Sequence, residues 1–178
     1  MKKILFLGLL LVASLVQAQD KCSTKTGAIN FEASVPSFEE VKASNNNASA
    51  ILKSDGTFAA LALMKGFRFK VALMEEHFNE NYAESSKYPK TTFKGKIQDF
   101  DITDLSEEEK IYTISGTINM HGTDKVVEVP ATIKKVDDVI VLTTNFVLKP
   151  ADFNIEIPSV VSSKIAEDIN VSATFNLK

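Results

Sequence analysis

Side chains that commonly carry catalysis or bind metals are scarce in this sequence. Its 178 residues include one cysteine, two histidines and no tryptophan. A nucleophilic triad needs a nucleophile, a base and an orienting group in mutual reach, and a zinc site needs three or four ligands. His77 and His121 stand on separate segments without a nearby second histidine, and no G-x-S-x-G motif occurs. We therefore predict no catalytic residue, no metal site, no resident cofactor and no enzymatic activity.

Positive charge is also limited. The chain carries 20 basic and 23 acidic side chains, a formal net charge of −3, and its only arginine is Arg68. Binding to nucleic acid requires a clustered positive surface, which scattered lysines do not provide. The run Glu107-Glu108-Glu109 lacks the spacing of a calcium loop and is more typical of a solvated loop. The composition therefore argues against a nucleic-acid partner and against a calcium site.

The single cysteine, Cys22, excludes an intrachain disulfide. An acylated cysteine would follow small or apolar residues, whereas Cys22 follows Gln19-Asp20-Lys21 with its two charges. We therefore predict a free thiol on a loose N-terminal tail and no stable membrane anchor.

The N-terminus has the organisation of an export signal. Met1-Lys2-Lys3 precedes an apolar run over residues 4–16, and Val16-Gln17-Ala18 places small residues at positions −3 and −1 of a cleavage site. The run is too short to span a bilayer. The sequence thus predicts a signal peptide over residues 1–18, cleavage after Ala18, and one exported domain over residues 19–178. The expected location is periplasmic or extracellular.

Most of the remaining chain alternates apolar and polar residues with the period of two that is typical of half-buried strands. The clearest cases are residues 112–120 and 127–133, which are joined by turn residues His121-Gly122-Thr123-Asp124, and residues 139–148 and 169–178. Residues 91–97 alternate in the same way. Earlier strands are predicted over residues 25–35, 38–44, 49–53 and 57–64, with turns at residues 45–47 and 54–56.

Two segments interrupt this pattern. Residues 71–83 have helical spacing and predict a short helix that caps one end of a barrel. Residues 150–167 form an irregular excursion before the last strand, and their apolar side chains predict that the segment folds onto something apolar: Phe153, Ile155, Ile157, Val160, Val161 and Ile165. About eight antiparallel strands in one domain predict an all-β, eight-stranded barrel, whose interior holds side chains or one small ligand.

Phenylalanine is the conspicuous surplus, with 12 residues spread over many of the predicted strands. Small residues such as Ala33, Ala60, Ala62 and Gly116 share the inward faces with them. Large and small side chains can interdigitate into a solid core or leave a tunnel, and the pattern does not choose between the two.

Three motifs together resemble a known family. They are residues 112–133 (YTISGTINMHGTDKVVEVPATI), residues 87–93 (KYPKTTF) and residues 144–155 (TNFVLKPADFNI). In this order they are similar to the hairpin, the strand entry and the Asp-Phe-Gly block of the YceI-like family, secreted proteins that bind lipids and polyisoprenoids in a lipocalin-like barrel. The chain differs at Asn154, where the family usually has glycine, and at Lys149-Pro150, where it usually has arginine.

The resemblance implies a tunnel for an isoprenoid or similar long-chain amphiphile. Expected wall residues are Phe58, Phe67, Phe69, Phe93, Ile114, Gly116, Ile118, Met120, Phe146, Phe153 and Phe175. Candidate headgroup contacts at the mouth are Arg68, His77 and Lys149, although Arg68 is also typical of a solvated charge at a strand end. Gly116 is expected to lie where the tunnel needs room.

An alternative from another functional class remains open at this point. A barrel filled by its own side chains would act as a protein-interaction or envelope stress-response module without a lipid ligand. The volume of the interior distinguishes the two hypotheses, because a filled barrel leaves room for no more than a water or two.

Overall fold

A computed structural model describes residues 21–178 of the chain. The predicted signal peptide, residues 1–18, lies outside the described residues. The strands, in chain order, are β1 Lys21–Ser34, β2 Lys42–Lys53, β3 Thr57–Leu63, β4 Arg68–Phe69, β5 Lys90–Ile97, β6 Lys110–Met120, β7 Thr123–Val136, β8 Val139–Leu148 and β9 Ile165–Leu177.

Eight of these strands close into an antiparallel barrel. The order is β1-β9-β8-β7-β6-β5-β3-β2, and the pairing of β2 with β1 completes the circle. The two-residue strand β4 pairs only with the start of β2. Closure leaves no free edge along the barrel wall. The predicted all-β, eight-stranded antiparallel barrel is therefore confirmed.

The helical part of the fold lies mainly in one insertion, residues 64–89, between β3 and β5. Helix α1, Ala72–His77, continues directly into a π-helical turn, Phe78–Tyr82, as the helical spacing of residues 71–83 predicts. Short 3₁₀ turns occur at Met64–Gly66, Ile102–Asp104, Pro150–Phe153 and Ser162–Lys164. Between residues 21 and 178, no helix is long and apolar enough to cross a membrane.

Antiparallel pairing gathers the connections at two ends. The mouth end holds residues 35–41, the insertion, the His121-Gly122 turn and residues 149–164, which link β8 to β9. The opposite end, here called the filled end, holds the turns at 54–56 and 137–138 and the β5–β6 connection. The insertion and the β8–β9 connection are the longest segments at the mouth end.

The filled end contains most of the solid core. Inward residues from seven barrel strands are almost completely buried there: Leu52, Phe58, Ile97, Ile114, Ile133, Ile140, Leu142, Phe175 and Leu177. Phe100, Ile102 and Leu105 of the β5–β6 connection pack against this core. Because each such side chain contributes roughly 1.5–3 kcal/mol on burial, this end supplies much of the stability of the barrel.

The second strand differs from the prediction. A turn was expected at residues 45–47, but β2 runs through all three without a break. Asn45 is buried, its side-chain amide donates to the carbonyl of Leu63, and its side-chain oxygen accepts the backbone N–H of Asn47. The facing strand β1 shifts register around Gly27 at this level. Side-chain hydrogen bonds and a matching bulge thus keep three turn-forming asparagines inside a strand.

Cys22 was predicted on a loose tail, and this prediction is wrong. Cys22 belongs to β1, faces Leu52 of β2 and packs half-buried against the core. Ser23 and Lys178 exchange two backbone hydrogen bonds, of 2.7 and 3.1 Å. The first described strand is therefore fastened to the last residue of the chain.

One departure from the family pattern has a conformational explanation. Asn154 ends the Pro150–Phe153 turn with φ of +56°, in the left-handed region. Glycine adopts this conformation without strain, and asparagine is among the residues that tolerate it best. Asn154 also donates a hydrogen bond to Thr123 across the mouth end, at 2.9 Å.

Candidate ligand cavity

A cavity of about 520 Å³ opens at the mouth end of the barrel. This volume falls within the usual range for sites that hold small organic ligands. The interaction-module alternative predicts a filled interior, and this cavity contradicts that prediction. Small inward side chains, among them Ala33, Ala60, Ala62 and Thr91, leave the space that bulkier residues occupy at the filled end.

Four phenylalanines form a cluster at the mouth, here called the roof: Phe31 of β1, Phe67 and Phe69 of the insertion, and Phe78 of the π-helical turn. The ring of Phe31 lies 5.4 Å from those of Phe67 and Phe78 and 5.7 Å from that of Phe69. Phe78 in turn lies 5.2 Å from Phe69 and 5.9 Å from Phe67. All four line the cavity. The roof therefore attaches the insertion to the barrel through aromatic contacts.

A second aromatic series separates the cavity from the filled end. The ring of Phe93, which lines the cavity, lies 6.0 Å from that of Phe58, and Phe58 lies 5.6 Å from Phe175. Phe93 thus forms the cavity floor, while Phe58 and Phe175 belong to the core beneath it.

The β8–β9 connection supplies the rest of the mouth. Its apolar side chains Ile155, Ile157 and Val161 face the cavity, as do Phe38 and Val41 of the β1–β2 connection. Polar or ionisable groups are few in this wall, and the main ones are Glu39, His77, Tyr82, Thr91, Thr92, His121 and Lys164. The arrangement suits an elongated apolar molecule whose polar end stays near the opening.

The structure brings about half of the predicted site residues together in the cavity wall. These residues are Phe67, Phe69, Phe93, Ile118, Met120, Phe146 and His77. Phe58, Ile114 and Phe175 lie in the filled core instead, and Phe153 is a fully buried residue of the β8–β9 connection that does not line the cavity. The alternating pattern identifies inward residues but not their height along the barrel axis. The predicted wall residues therefore include some from the cavity and some from the filled end.

Gly116 also lies outside the cavity wall, contrary to its predicted placement. It faces Gly95 directly across the β5–β6 pair. A Cβ atom on Gly116 would stand 2.5 Å from the Lys94 carbonyl oxygen and 2.6 Å from both the Gly95 Cα and the Phe93 ring. The glycine makes room for neighbouring backbone and for the floor residue Phe93.

Two predicted headgroup contacts are engaged elsewhere. Arg68 donates to Glu75 at 3.0 Å and to two backbone carbonyls of the insertion. Lys149 pairs with Asp168 at 3.4 Å on an exposed surface. Neither residue lines the cavity. Arg68 therefore braces the start of the insertion.

Sequence reasoning missed several wall residues. Phe31 was not among the expected wall residues, although the period of two over residues 25–35 predicts that it faces inward beside Ile29 and Ala33, as it does. Phe78 shares the predicted helix with His77. The apolar residues of the stretch 155–161 predicted that it folds onto an apolar surface, but irregular backbone decides which of them face the cavity.

The shifted pKa values near the mouth end belong to exposed pairs. A hydrogen bond from Lys42, together with its charge, lowers the pKa of Glu40, and the same bond raises the pKa of Lys42. Both groups lie on the outer surface next to the β1–β2 connection. Among residues 21–178, no three His, Cys, Asp or Glu side chains are grouped as metal ligands.

Comparison with known proteins decides the family. A profile of the YceI-like domain matches residues 20–177. The chain belongs to the YceI-like family. No protein with a curated description matches the sequence.

Solved structures share this fold at low sequence identity. A polyisoprenoid binding domain from Saccharophagus degradans, implicated in plant cell wall breakdown, is 15% identical with a TM-score of 0.78, over 89% of this chain and 97% of that one. Burkholderia cenocepacia BcnA is 14% identical with a TM-score of 0.70, over 85% and 96%. A Campylobacter jejuni YceI protein is 19% identical with a TM-score of 0.61, over 81% and 89%.

The roof makes a testable contribution to stability. We expect Phe31→Ala to lower the free energy of unfolding by about 3 kcal/mol, because it removes three ring contacts and leaves a void. Urea denaturation followed by circular dichroism measures the loss.

Phe38→Ala is the matched control. Phe38 also lines the mouth, but it is 46% exposed, so its replacement is expected to cost less than about 1 kcal/mol. Equal losses for the two variants would contradict the role given to the roof.

Proposed function

We propose that this YceI-like protein is an exported, non-enzymatic carrier that holds a polyisoprenoid or similar long-chain amphiphile in its barrel cavity. The observation that carries the proposal is the cavity itself. It is about 520 Å³ in volume, walled mainly by aliphatic and aromatic side chains, and open at one end. The polyisoprenoid binding described for the S. degradans relative supports the same ligand class.

The cavity volume limits the length of chain that it encloses. A water molecule occupies about 30 Å³ in the liquid, and a methylene group is of similar size. On this basis the cavity accommodates on the order of 15 carbon atoms, or about three isoprene units. A longer chain extends through the mouth, where Glu39, His77 and Lys164 line the wall.

Apolar burial alone provides useful affinity. Each buried methylene contributes roughly 0.8 kcal/mol. Ten buried carbons then contribute about 8 kcal/mol, which corresponds to micromolar binding before the cost of ordering the ligand. A carrier requires an affinity that permits release, so the modest number of polar groups in the wall is consistent with transport.

The export part of the proposal depends on the N-terminal sequence. The predicted signal peptide over residues 1–18 directs the barrel to the periplasm or the exterior. Amino-terminal sequencing of the protein from its own envelope fraction tests this part, and we expect the mature chain to begin at Gln19. A chain that retains Met1 in that fraction would contradict it.

Ligand binding is tested with the purified protein. We expect native mass spectrometry to show an apolar adduct, and solvent extraction to release a molecule with a long hydrocarbon chain. In titrations with prenols, affinity should increase from geraniol, with ten carbons, to farnesol, with fifteen, and then level off. No adduct and no binding of farnesol would count against the carrier proposal.

A further inference from the structure

His121 occupies a corner where three mouth connections meet. It stands at the tip of the β6–β7 hairpin with φ of +52°, and its side chain is 11% exposed. Its Nδ1 lies 3.1 Å from the carbonyl oxygen of Phe153, and its Nε2 lies 2.7 Å from a carboxylate oxygen of Glu84. The ring of Tyr88 packs against it at 4.4 Å. We call His121, Glu84 and the Phe153 carbonyl the clasp.

Both partners of the imidazole are hydrogen-bond acceptors. A backbone carbonyl cannot donate, and neither can an ionised carboxylate. A neutral imidazole carries one N–H and satisfies only one of these partners, whereas the imidazolium carries two and satisfies both. A clasp with both hydrogen bonds formed therefore contains the imidazolium, which carries one proton more than the neutral imidazole.

Each partner of His121 belongs to a segment that encloses the cavity. Glu84 follows the π-helical turn, whose Phe78 and Tyr82 form part of the cavity wall. Phe153 precedes the stretch of the β8–β9 connection that carries Ile155 and Ile157. The clasp thus joins the hairpin to the insertion through Glu84 and to the β8–β9 connection through Phe153.

The two sides of the clasp are not equally secured. The β8–β9 side is also held to β7 by the Lys125–Asp152 ion pair and by the hydrogen bond from Asn154 to Thr123. On the insertion side, the roof packs against β1 and not against the hairpin. Among the described residues, the bond between His121 and Glu84 is the one hydrogen bond that joins the insertion to the hairpin. Loss of the imidazolium is therefore expected to free the insertion side first.

We propose that the clasp is a proton-controlled latch on the cavity. Protonated His121 binds both partners and holds the insertion against the hairpin, which narrows the mouth, and deprotonation releases Glu84 and speeds ligand exchange. Histidine is the side chain that ordinarily changes charge near neutral pH. Ligand release is thus slow in mild acid and faster as the pH increases. The inference concerns regulation of the cavity and rests on the carrier function proposed above.

Other ionisable groups near the clasp have defined positions. On the insertion side these are Tyr88 and Lys87, whose Nζ lies 4.8 Å from the Tyr88 ring centre. On the β8–β9 side, Asp152 is paired with Lys125. The ionisable groups elsewhere in the cavity wall are Glu39, His77, Tyr82 and Lys164. His77 is the second histidine among these groups, and the His77→Gln variant below tests its part.

The decisive variant is Glu84→Gln. Its amide N–H can donate to Nε2 of a neutral imidazole while Nδ1–H donates to the Phe153 carbonyl, so the clasp stays closed without the extra proton. Release of an NBD-labelled C15 isoprenoid to acceptor vesicles is measured at about pH 5.5 and about pH 8, on either side of the ordinary titration range of histidine.

We expect release from the wild-type protein to be about tenfold faster at the higher pH, since one charge-assisted hydrogen bond is lost. Glu84→Gln should change less than about twofold. The exposed-carboxylate control Glu156→Gln should behave as the wild type. His77→Gln, in the cavity wall, should keep the wild-type ratio of the two release rates whatever its own rates are. A wild-type rate that does not change with pH, or a Glu84→Gln protein with the wild-type pH dependence, would overturn the latch.

A measurement without ligand separates the latch from the carrier function. The amides of Ser85 and Tyr88 donate to carbonyls within the insertion. After correction for intrinsic exchange rates, their hydrogen-exchange protection should fall about tenfold between the two pH values in the wild type and stay constant in Glu84→Gln. If protection changes in this way but the protein binds no isoprenoid, the latch stands and the carrier function is rejected. If protection in the wild type does not change with pH, the latch is overturned.

Discussion

Replacing Ala60 with phenylalanine is expected to abolish farnesol binding while the protein remains folded. Ala60 lies on the inner face of β3 and lines the cavity, where it faces Phe93 across the β3–β5 pair. A benzyl group at this position occupies the space that the isoprenoid chain needs. We expect the affinity for farnesol to fall at least about 100-fold, because several methylene groups lose their buried site. Fluorescence competition measures binding, and thermal melting measures stability.

The same substitution at the filled end is the matched control. Ala131 is an inward alanine of β7, 2% exposed, in the packed core. Overfilling a packed core usually costs 1–3 kcal/mol and sometimes more. Because a whole ring is added, we expect Ala131→Phe to lose at least about 3 kcal/mol or to fail to fold. If Ala60→Phe unfolded to the same extent, or bound farnesol normally, the cavity would not be the ligand site.

Alternation of polar and apolar residues predicted the barrel well because it reports a local property. In β9, for example, Ala173, Phe175 and Leu177 are buried on one face, as a period of two requires. The turn predicted over residues 121–124 is present but shorter, because His121 and Gly122 alone make it, both with positive φ, and β7 begins at Thr123.

The position of an inward residue along the barrel axis could not be predicted from the sequence in the same way. Phe93 and Phe175 alternate identically in the sequence, yet Phe93 lines the cavity and Phe175 lies in the filled core. Which of them meets empty space depends on the register of neighbouring strands and on the loops that cover each end. Both are long-range properties.

Side-chain partners were likewise beyond the sequence. Arg68 was a reasonable headgroup candidate until the fold placed Glu75, seven residues later, against its guanidinium. His121 was predicted as a turn residue, which it is. Its pairing with Glu84 links residues 37 positions apart and depends on how the insertion returns to the barrel. Contacts of that kind follow from tertiary structure and leave no periodic signal.

The facing glycines of β5 and β6 lead to the second large expected effect. The sequence predicted that Gly116 lines the tunnel, where an added side chain would compete with the ligand. The structure indicates instead that an added side chain at Gly116 would destabilise the fold. A Cβ atom at Gly116 would meet the backbone of Lys94 and Gly95, neither of which can move without disturbing the β5–β6 pairing. The Phe93 ring also covers this position. Even alanine is therefore too large.

We expect Gly116→Ala to lower the free energy of unfolding by about 3 kcal/mol, at the upper end of the usual cost of overpacking. For a chain of this size, the melting temperature then falls by roughly 6–12 °C. Thr117→Ala, at the next position of the same strand, is the control and should cost less than about 1 kcal/mol. Combining Gly116→Ala with Phe93→Ala should not restore stability, because the backbone contacts remain after the ring is removed. A stable double variant would show that the Phe93 ring alone excludes a side chain at Gly116, and that the close approach of the two strands has no part in it.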